Sequence, residues 1–430
     1  MTTLLELNDA DLTLYRDGRP VYRAPGIAVV TDRGILFGES ALRLSRIYPR
    51  QTNLQYFGRM SGDPLPHPGP GARNHADLVY LHLRELAPLV EEEIILAVPA
   101  VFSAEQLGVL LGILQELGIA VAGFVDSAVA AAAALPLPAR VWHLDVLLHR
   151  SVLTALVADD QVARRGVEEI SDCGLVRLLD HWTNAIADRF IRETRFDPLH
   201  AAATEQQLFD QLFDLVWSGI TDRELAFEIA QGEQTRRVEL GRQVLDERAL
   251  PRFRQIAERL PSGGHVLVTA RSAPLPGLLD AFREAGLTLT ILRADALPNG
   301  CAESATSIVT GGGDLRLITR LPRLAPPFPT ATAPTVAAPG GAGGAPAGSA
   351  AAEAPSAPPL PTHVLAGHRA LPLGHGALGF DVVRHGTVTL VRPAHGLLLN
   401  GAAIFRDTAL EIGDRIGLDG REFLVISVEG

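Results

Sequence analysis

Hydrophobic positions between residues 94 and 135 switch between two spacings, and the switching predicts strand, helix, strand, helix. Residues 94–98 are an unbroken apolar run closed by Pro99, the pattern of a strand buried on both faces. Leu107, Leu110, Leu111, Leu114 and Leu117 then recur at helical spacing. Ser103 and Gln106 precede them with the spacing of a capping box, and Gly118 stops the run. Residues 119–125 read as a second strand, and the alanine run 128–134 as a small-residue helix able to pack close to its neighbours.

The same reading extends outward. Residues 3–7, 12–15, 26–30 and 35–37 predict a meander with turns at Asp17-Gly18 and Asp32-Arg33-Gly34. Residues 62–74 read as a Pro/Gly-rich surface loop and 75–93 as an amphipathic helix. Residues 140–150 read as a hairpin arm leading into a strand at 151–157. A long helix follows over 174–195, with Leu175, Leu178, Leu179, Trp182, Ile186 and Phe190 on its core face. Helices at 204–219 and 242–260 flank paired strands at 226–231 and 236–240.

From 321 to 361 the periodicity stops. That stretch is proline, alanine and glycine with hardly a charge, a flexible tether spanning about 30–40 Å root mean square. Residues 362–430 are short apolar runs punctuated by glycine turns, an all-β domain.

Composition adds limits rather than a function. At 430 residues, 47% hydrophobic and 20% charged, the chain is an ordinary globular sequence with room for two or three domains. A net charge of -11 without a basic stripe argues against nucleic acid as a partner. The sequence has no lysine, which fits a GC-rich coding bias. Cys173 and Cys301 are far apart and make no metal or redox motif. No signal peptide or membrane-length apolar run appears, so the expectation is a soluble, cytoplasmic protein without a membrane span.

The order of elements around Val98-Pro99-Ala100-Val101-Phe102 and the alanine run resembles the ATPase domain of DnaK-type heat-shock chaperones, in the actin-like superfamily. That family writes I-T-V-P-A-x-F, a helix, G-L-x-V, then E-P-T-A-A-A-L; Asp126-Ser127 stand here for its Glu-Pro. Gly38-Glu39-Ser40-Ala41 and Asn53-Leu54-Gln55-Tyr56-Phe57 also resemble family motifs, although Arg59 is the nearest basic residue to a missing lysine. The resemblance covers residues 1 to about 318. It implies an α/β, actin-like (ribonuclease H-like), two-lobed ATPase fold over residues 1–320.

Departures from the family fall on its nucleotide loops. Leu5-Glu6-Leu7-Asn8-Asp9-Ala10 replaces I-D-x-G-T-T, leaving Glu6 for the aspartate and nothing for the glycine or hydroxyls. In V-x-D-x-G-G-G-T the aspartate falls on His143 and the glycines on Asp145, Val146 and Leu147. Side chains there are expected to fill the space of the phosphates, since only glycine lets the backbone approach them closely. Residues 264–277 resemble the adenosine motif; Ser272 and Pro276 match, and its two glycines are Ala270 and Arg271. An exposed Arg271 is expected, with stacking on a base as the alternative.

These losses imply a pseudo-ATPase with no catalytic residues, no metal and no cofactor. Should ATP and magnesium bind, Glu6, Asp145, Arg271 and Ser272 are the cofactor-binding candidates, with Asp126 a further carboxylate for the metal's water.

In the tail, Leu397-Leu398-Leu399-Asn400-Gly401 and Leu410-Glu411-Ile412-Gly413-Asp414-Arg415-Ile416 resemble the second half of a forkhead-associated (FHA) domain, a small β-sandwich. Its phosphate-binding arginine, serine and asparagine fall on His375, Val382 and His395, so the clamp for a phosphate dianion is missing. His375, Arg384, His385, His395 and Asn400 are the candidate contacts for an unphosphorylated protein partner. A metal held by His363, His368, His375, His385 and His395 fits no known ligand spacing.

The function expected is a non-catalytic DnaK-like scaffold or adaptor that binds partner proteins through its lobes and tail. The alternatives are a divergent ATP-binding switch and a phosphothreonine-reading adaptor that borrows Arg369 or Arg392.

Overall fold

Strand β1 (Thr3–Glu6) turns its side chains alternately to two cores, Leu5 to one and Leu4 to the other. It pairs antiparallel with β2 (Leu12–Arg16), and β2 pairs with β3 (Arg19–Ala24). Asp17 and Gly18, both at positive φ, make the tight turn whose twist suits a hairpin. On the other side of β1, β4 (Ile94–Val98) and β5 (Val121–Asp126) add in parallel. The order is β3-β2-β1-β4-β5.

A second sheet repeats that plan. Strands β6 (Arg140–Val146), β7 (Arg150–Ala158) and β8 (Gln161–Ser171) form an antiparallel meander. Strands β9 (His265–Val268) and β10 (Thr288–Ile291) add in parallel beside β6. The order is β8-β7-β6-β9-β10, with the same pattern of strand senses as the first sheet.

The computed structural model describes residues 3–220, 222–309 and 315–325. In the C-terminal region it describes 362–366, 369–373, 380, 382–385, 388–391, 397–399, 402–403, 408–410, 414–418 and 421–426. The chain divides into two compact units at residues 334/335. Both large sheets belong to the first, a mixed α/β unit.

Three cores hold it together. Ile94, Leu96 and Val98 meet helices His75–Leu86 and Ala104–Glu116 on one face of the first sheet. Leu144, Leu153 and Ile170 meet helices Leu175–Thr194, Ala202–Ser218 and Arg242–Ala257 on one face of the second. Between the sheets lies a shared core. Ile95, Ala97 and Val125 come from the first sheet and Val141, Leu156, Val162 and Leu267 from the second. The continuous apolar run of β4 is thus explained: both of its faces are covered, one by helices and one by the shared core.

The helix Ser127–Ala133 is buried along its whole length inside that shared core. It lies against Ala296–Glu303, where a Cβ on Gly300 would sit 1.9 Å from the Ala130 carbonyl oxygen. No side chain fits at position 300 against that backbone. The reciprocal capping box predicted at Ser103 and Gln106 is present, at 3.2 and 2.9 Å.

Several expectations change. The stretch 62–74 is not a plain loop: Pro64–Gly69 and Ala72–Asn74 pair around Gly71 at positive φ. The helix expected to 93 ends at Leu86, followed by a single tight turn, Ala87–Leu89, with Pro88 inside it. Strands β3 and β8 were not expected; they bury only Ala24, Val162 and Ile170 and otherwise carry partly or fully exposed side chains. The first unit also runs past 320. Strand β11 (Leu317–Ile318) joins the edge of the first sheet beside β5, and β12 (Arg320–Pro322) joins the edge of the second beside β8. Leu321 is fully buried.

The C-terminal unit is all β among the described residues. One sheet holds Arg369–Pro372, His363–Ala366, Arg421–Ile426, Arg415–Leu418, Leu398–Leu399 and Ala402–Ala403 in that order; Val382–His385, Val388–Val391 and Thr408–Ala409 form another. Val364, Phe380, Val391, Leu410, Ile416 and Phe423 share one core. Among the described residues of the chain, no helix is long and apolar enough to cross a membrane.

Candidate functional site

The carboxyl ends of parallel strands from both sheets open into one cleft of about 400 Å³. Glu6 ends β1, Ser127 follows β5, and Asp145 and Val146 end β6. Thr269 to Ser272 follow β9, and Leu292 to Leu297 follow β10. In α/β sheets this is the usual position for a ligand, because helices cover the faces while the strand ends stay free.

An ionic cluster forms the floor. Arg271, three residues beyond β9, reaches across to the first sheet, where its guanidinium pairs with Glu6. It also lies 3.8 Å from Asp11 Oδ2 and 3.5 Å from Asp145 Oδ1. Its side chain is 18% exposed. Burial pulls it down to about 10, still well above neutral pH, so it stays charged.

Each carboxylate has further partners. Glu6 accepts from the Tyr15 hydroxyl at 3.2 Å. Asp11 pairs bidentately with Arg23, the shortest contact being 2.6 Å. Asp145 accepts from Asn8 Nδ2 at 2.8 Å and from the Thr269 hydroxyl at 3.1 Å. Burial nonetheless pushes Asp145 up to about 7, outweighing those bonds. Burial likewise pushes Asp9 up to about 6, although Asp9 accepts from the Leu148 N–H at 2.7 Å.

Several of these contacts tie one sheet's loops to the other's: Asn8 to Asp145, Asp9 to Leu148 and Arg271 to Glu6. Farther out, Arg43 meets Asp214 and Arg46 meets Asp180, each at 2.7 Å, and Arg164 meets Asp126 at 2.7 Å.

All four sequence candidates, Glu6, Asp145, Arg271 and Ser272, line this cleft. Their surroundings differ from expectation. Arg271 is neither exposed nor free to stack, because carboxylates hold it. Ser272 accepts from the Val146 N–H at 3.2 Å, and its own hydroxyl donates to the Thr269 hydroxyl oxygen at 2.7 Å. Asp126 caps helix Ser127–Ala133 and pairs with Arg164 rather than lining the cleft. Of the side chains expected to fill the cleft, His143 and Val146 line it, whereas Leu147 is buried away from it. His143 is 3% exposed, and burial pulls its imidazole down to about 4, so it is neutral.

The sequence marks Asp11 only as an acid that would repel phosphate; the parts played by Asn8, Arg23 and Thr269 were not anticipated. Asp11 and Arg23 come together only through the β2–β3 register, in which Thr13 faces Arg23. Without β3 that pairing had no signal.

His375, His395 and Asn400 lie outside the described residues, and Arg384 and His385 are described only as part of the strand Val382–His385. Among the described residues no group of His, Cys, Asp and Glu side chains is arranged to hold a metal ion.

No protein-family model matches the chain, and no curated protein matches it.

Proposed function

We propose that the first unit is an actin-like, DnaK-type two-lobed domain whose cleft does not turn over nucleotide. The chain then serves as a non-catalytic cytoplasmic scaffold, binding protein partners through its lobes and an FHA-like tail. Support for the fold comes from the two sheets, which repeat one strand order and one pattern of senses around a shared core.

The observation that carries the functional half is the engagement of Arg271 by Glu6, Asp11 and Asp145. A magnesium–triphosphate group needs carboxylates free to orient the metal's water, and backbone amides free to wrap the phosphates. Here the carboxylates already hold an internal cation. Asn8, Asp145 and Val146 carry Cβ atoms at positions where a phosphate loop needs glycine. The residues present do not fit the magnesium nucleotide, and no hydrolytic step is derived from them.

A phosphate-release assay on the full chain with ATP and magnesium tests this reading. The expected result is release no faster than in buffer; turnover that Glu6→Gln and Asp145→Asn both abolish would overturn it.

A further inference from the structure

The edge of a sheet is a row of backbone N–H and C=O groups that another strand can join, and chains guard such rows with charge, proline, brevity or a covering element. Among the described residues, the two large sheets end on β3, β11, β10 and β12. Strand β3 carries Pro20 between Arg19 and Arg23. Strand β11 is two residues long, and β12 is three residues long with Arg320 and Pro322 in it. The separate hairpin of Glu224–Gln231 and Gln234–Gly241 is met on both outer edges by side chains. Gln207 donates to and accepts from the backbone of Ala230, and Gln211 does the same with Glu228, in place of a neighbouring strand. On the other edge Arg189 Nε donates to the Glu239 carbonyl at 3.1 Å.

Strand β10 has none of these guards. It reads Thr288-Leu289-Thr290-Ile291, without charge or proline. Thr288 N–H donates to the Gly264 carbonyl and Leu292 N–H to that of Val268, so the even-numbered positions bond inward to β9. Leu289 and Ile291 therefore turn their N–H and C=O away from the sheet. Their side chains share one face. Leu289 packs partly buried against the helix-covered core of the second sheet, whereas Ile291 is 49% exposed.

This edge is complementary to itself. In an antiparallel pair with a two-fold axis at Thr290, Leu289 lies opposite Ile291 of a second copy, and each such pair exchanges both of its backbone bonds. The exposed Ile291 then packs beside the second copy's Leu289. Arg293, just beyond the strand, falls opposite the second copy's Leu287 and is already paired with Asp295 at 2.9 Å. No like charges oppose each other along the paired strands.

We infer that strand β10 is a docking edge for a second copy of this chain, joined antiparallel about Thr290. The contact is small, so the dimer is a weak one. The inference is independent of the scaffold reading: binding of magnesium nucleotide would strike that reading and leave this one.

Sedimentation velocity of the full chain from about 5 to about 500 µM tests it. The parent is expected to pass from monomer towards dimer across that range. Ile291→Lys places a charge on the edge at an exposed position and is expected to weaken the dimer by at least about tenfold. Ile291→Pro removes an outward N–H that its own sheet does not use and is expected to do the same. Should the proline variant melt below the parent, the lysine variant carries the test. Val21→Lys, at an exposed position on β3, is expected to leave the dimer intact. A parent that stays monomeric to about 500 µM, or a dimer unmoved by Ile291→Lys, would overturn the inference. So would a dimer that Val21→Lys weakens equally.

Discussion

Arg271 is the residue on which the cleft turns. Three carboxylates approach its guanidinium, Glu6 from the end of β1, Asp11 from the turn after it and Asp145 from the end of β6. Truncation by Arg271→Ala leaves those acids crowded and uncompensated at low exposure, the costly way to break a buried ion cluster. The expected loss is about 3 kcal/mol in urea unfolding of the first unit. A neutral result would mean that water already screens the cluster.

Asp145 and Asp9 supply a pH dependence. Their carboxyls sit at about 7 and about 6 in the folded chain, raised by burial above 3.8. The folded state therefore holds protons that the unfolded state gives up. The stability these two groups contribute is complete below the unfolded value and is lost as pH rises through 6 to 7. Asp145→Asn is expected to flatten the fall in melting temperature between pH 5 and pH 8. An unchanged slope would contradict the assignment.

At the scale of elements, the helix Ser127–Ala133 shows what small residues do. Its close contact with Ala296–Glu303 leaves no room for a methyl group at Gly300. Gly300→Ala is expected to destabilise the first unit by about 2 kcal/mol, read as a lowered melting temperature. A melting curve identical to the parent's would show that the two helices can separate freely.

This contact was half legible in sequence. The alanine run announced close packing, and the capping box and leucine spacing announced the helix before it. Edge strands were not legible. Strands β3 and β8 expose Arg19, Arg23, Arg165 and Glu169 and bury only Ala24, Val162 and Ile170, too few positions to give a regular apolar period. The candidate site followed the same division. Residues at the ends of buried strands, Glu6 and Asp145, could be picked from local motifs. The partners that set their chemistry, Arg271 for Glu6 and Asn8 for Asp145, come from pairings distant in sequence. Arg271 was found in its motif, yet its environment depends on Glu6, 265 positions away.

Across the whole first unit, two sheets of one design share a core, and the last strands fasten their outer edges. Strand β12 pairs with β8, Leu324 N–H donates to the Ala133 carbonyl at 3.0 Å, and Leu321 is buried. A chain ending at residue 325 is expected to melt like the first unit of the full protein. One ending at 319 is expected to lose about 2 kcal/mol through Leu321 alone. Equal melting of the two would move the boundary back to 320.

We propose that Arg271 and its three carboxylates close this cleft to magnesium nucleotides. Calorimetric titration of the full chain with ATP and ADP in magnesium tests it most directly. No heat of binding up to millimolar nucleotide is the predicted result. Micromolar binding, lost in Glu6→Gln and Asp145→Asn, would contradict the account and make the cleft a nucleotide switch.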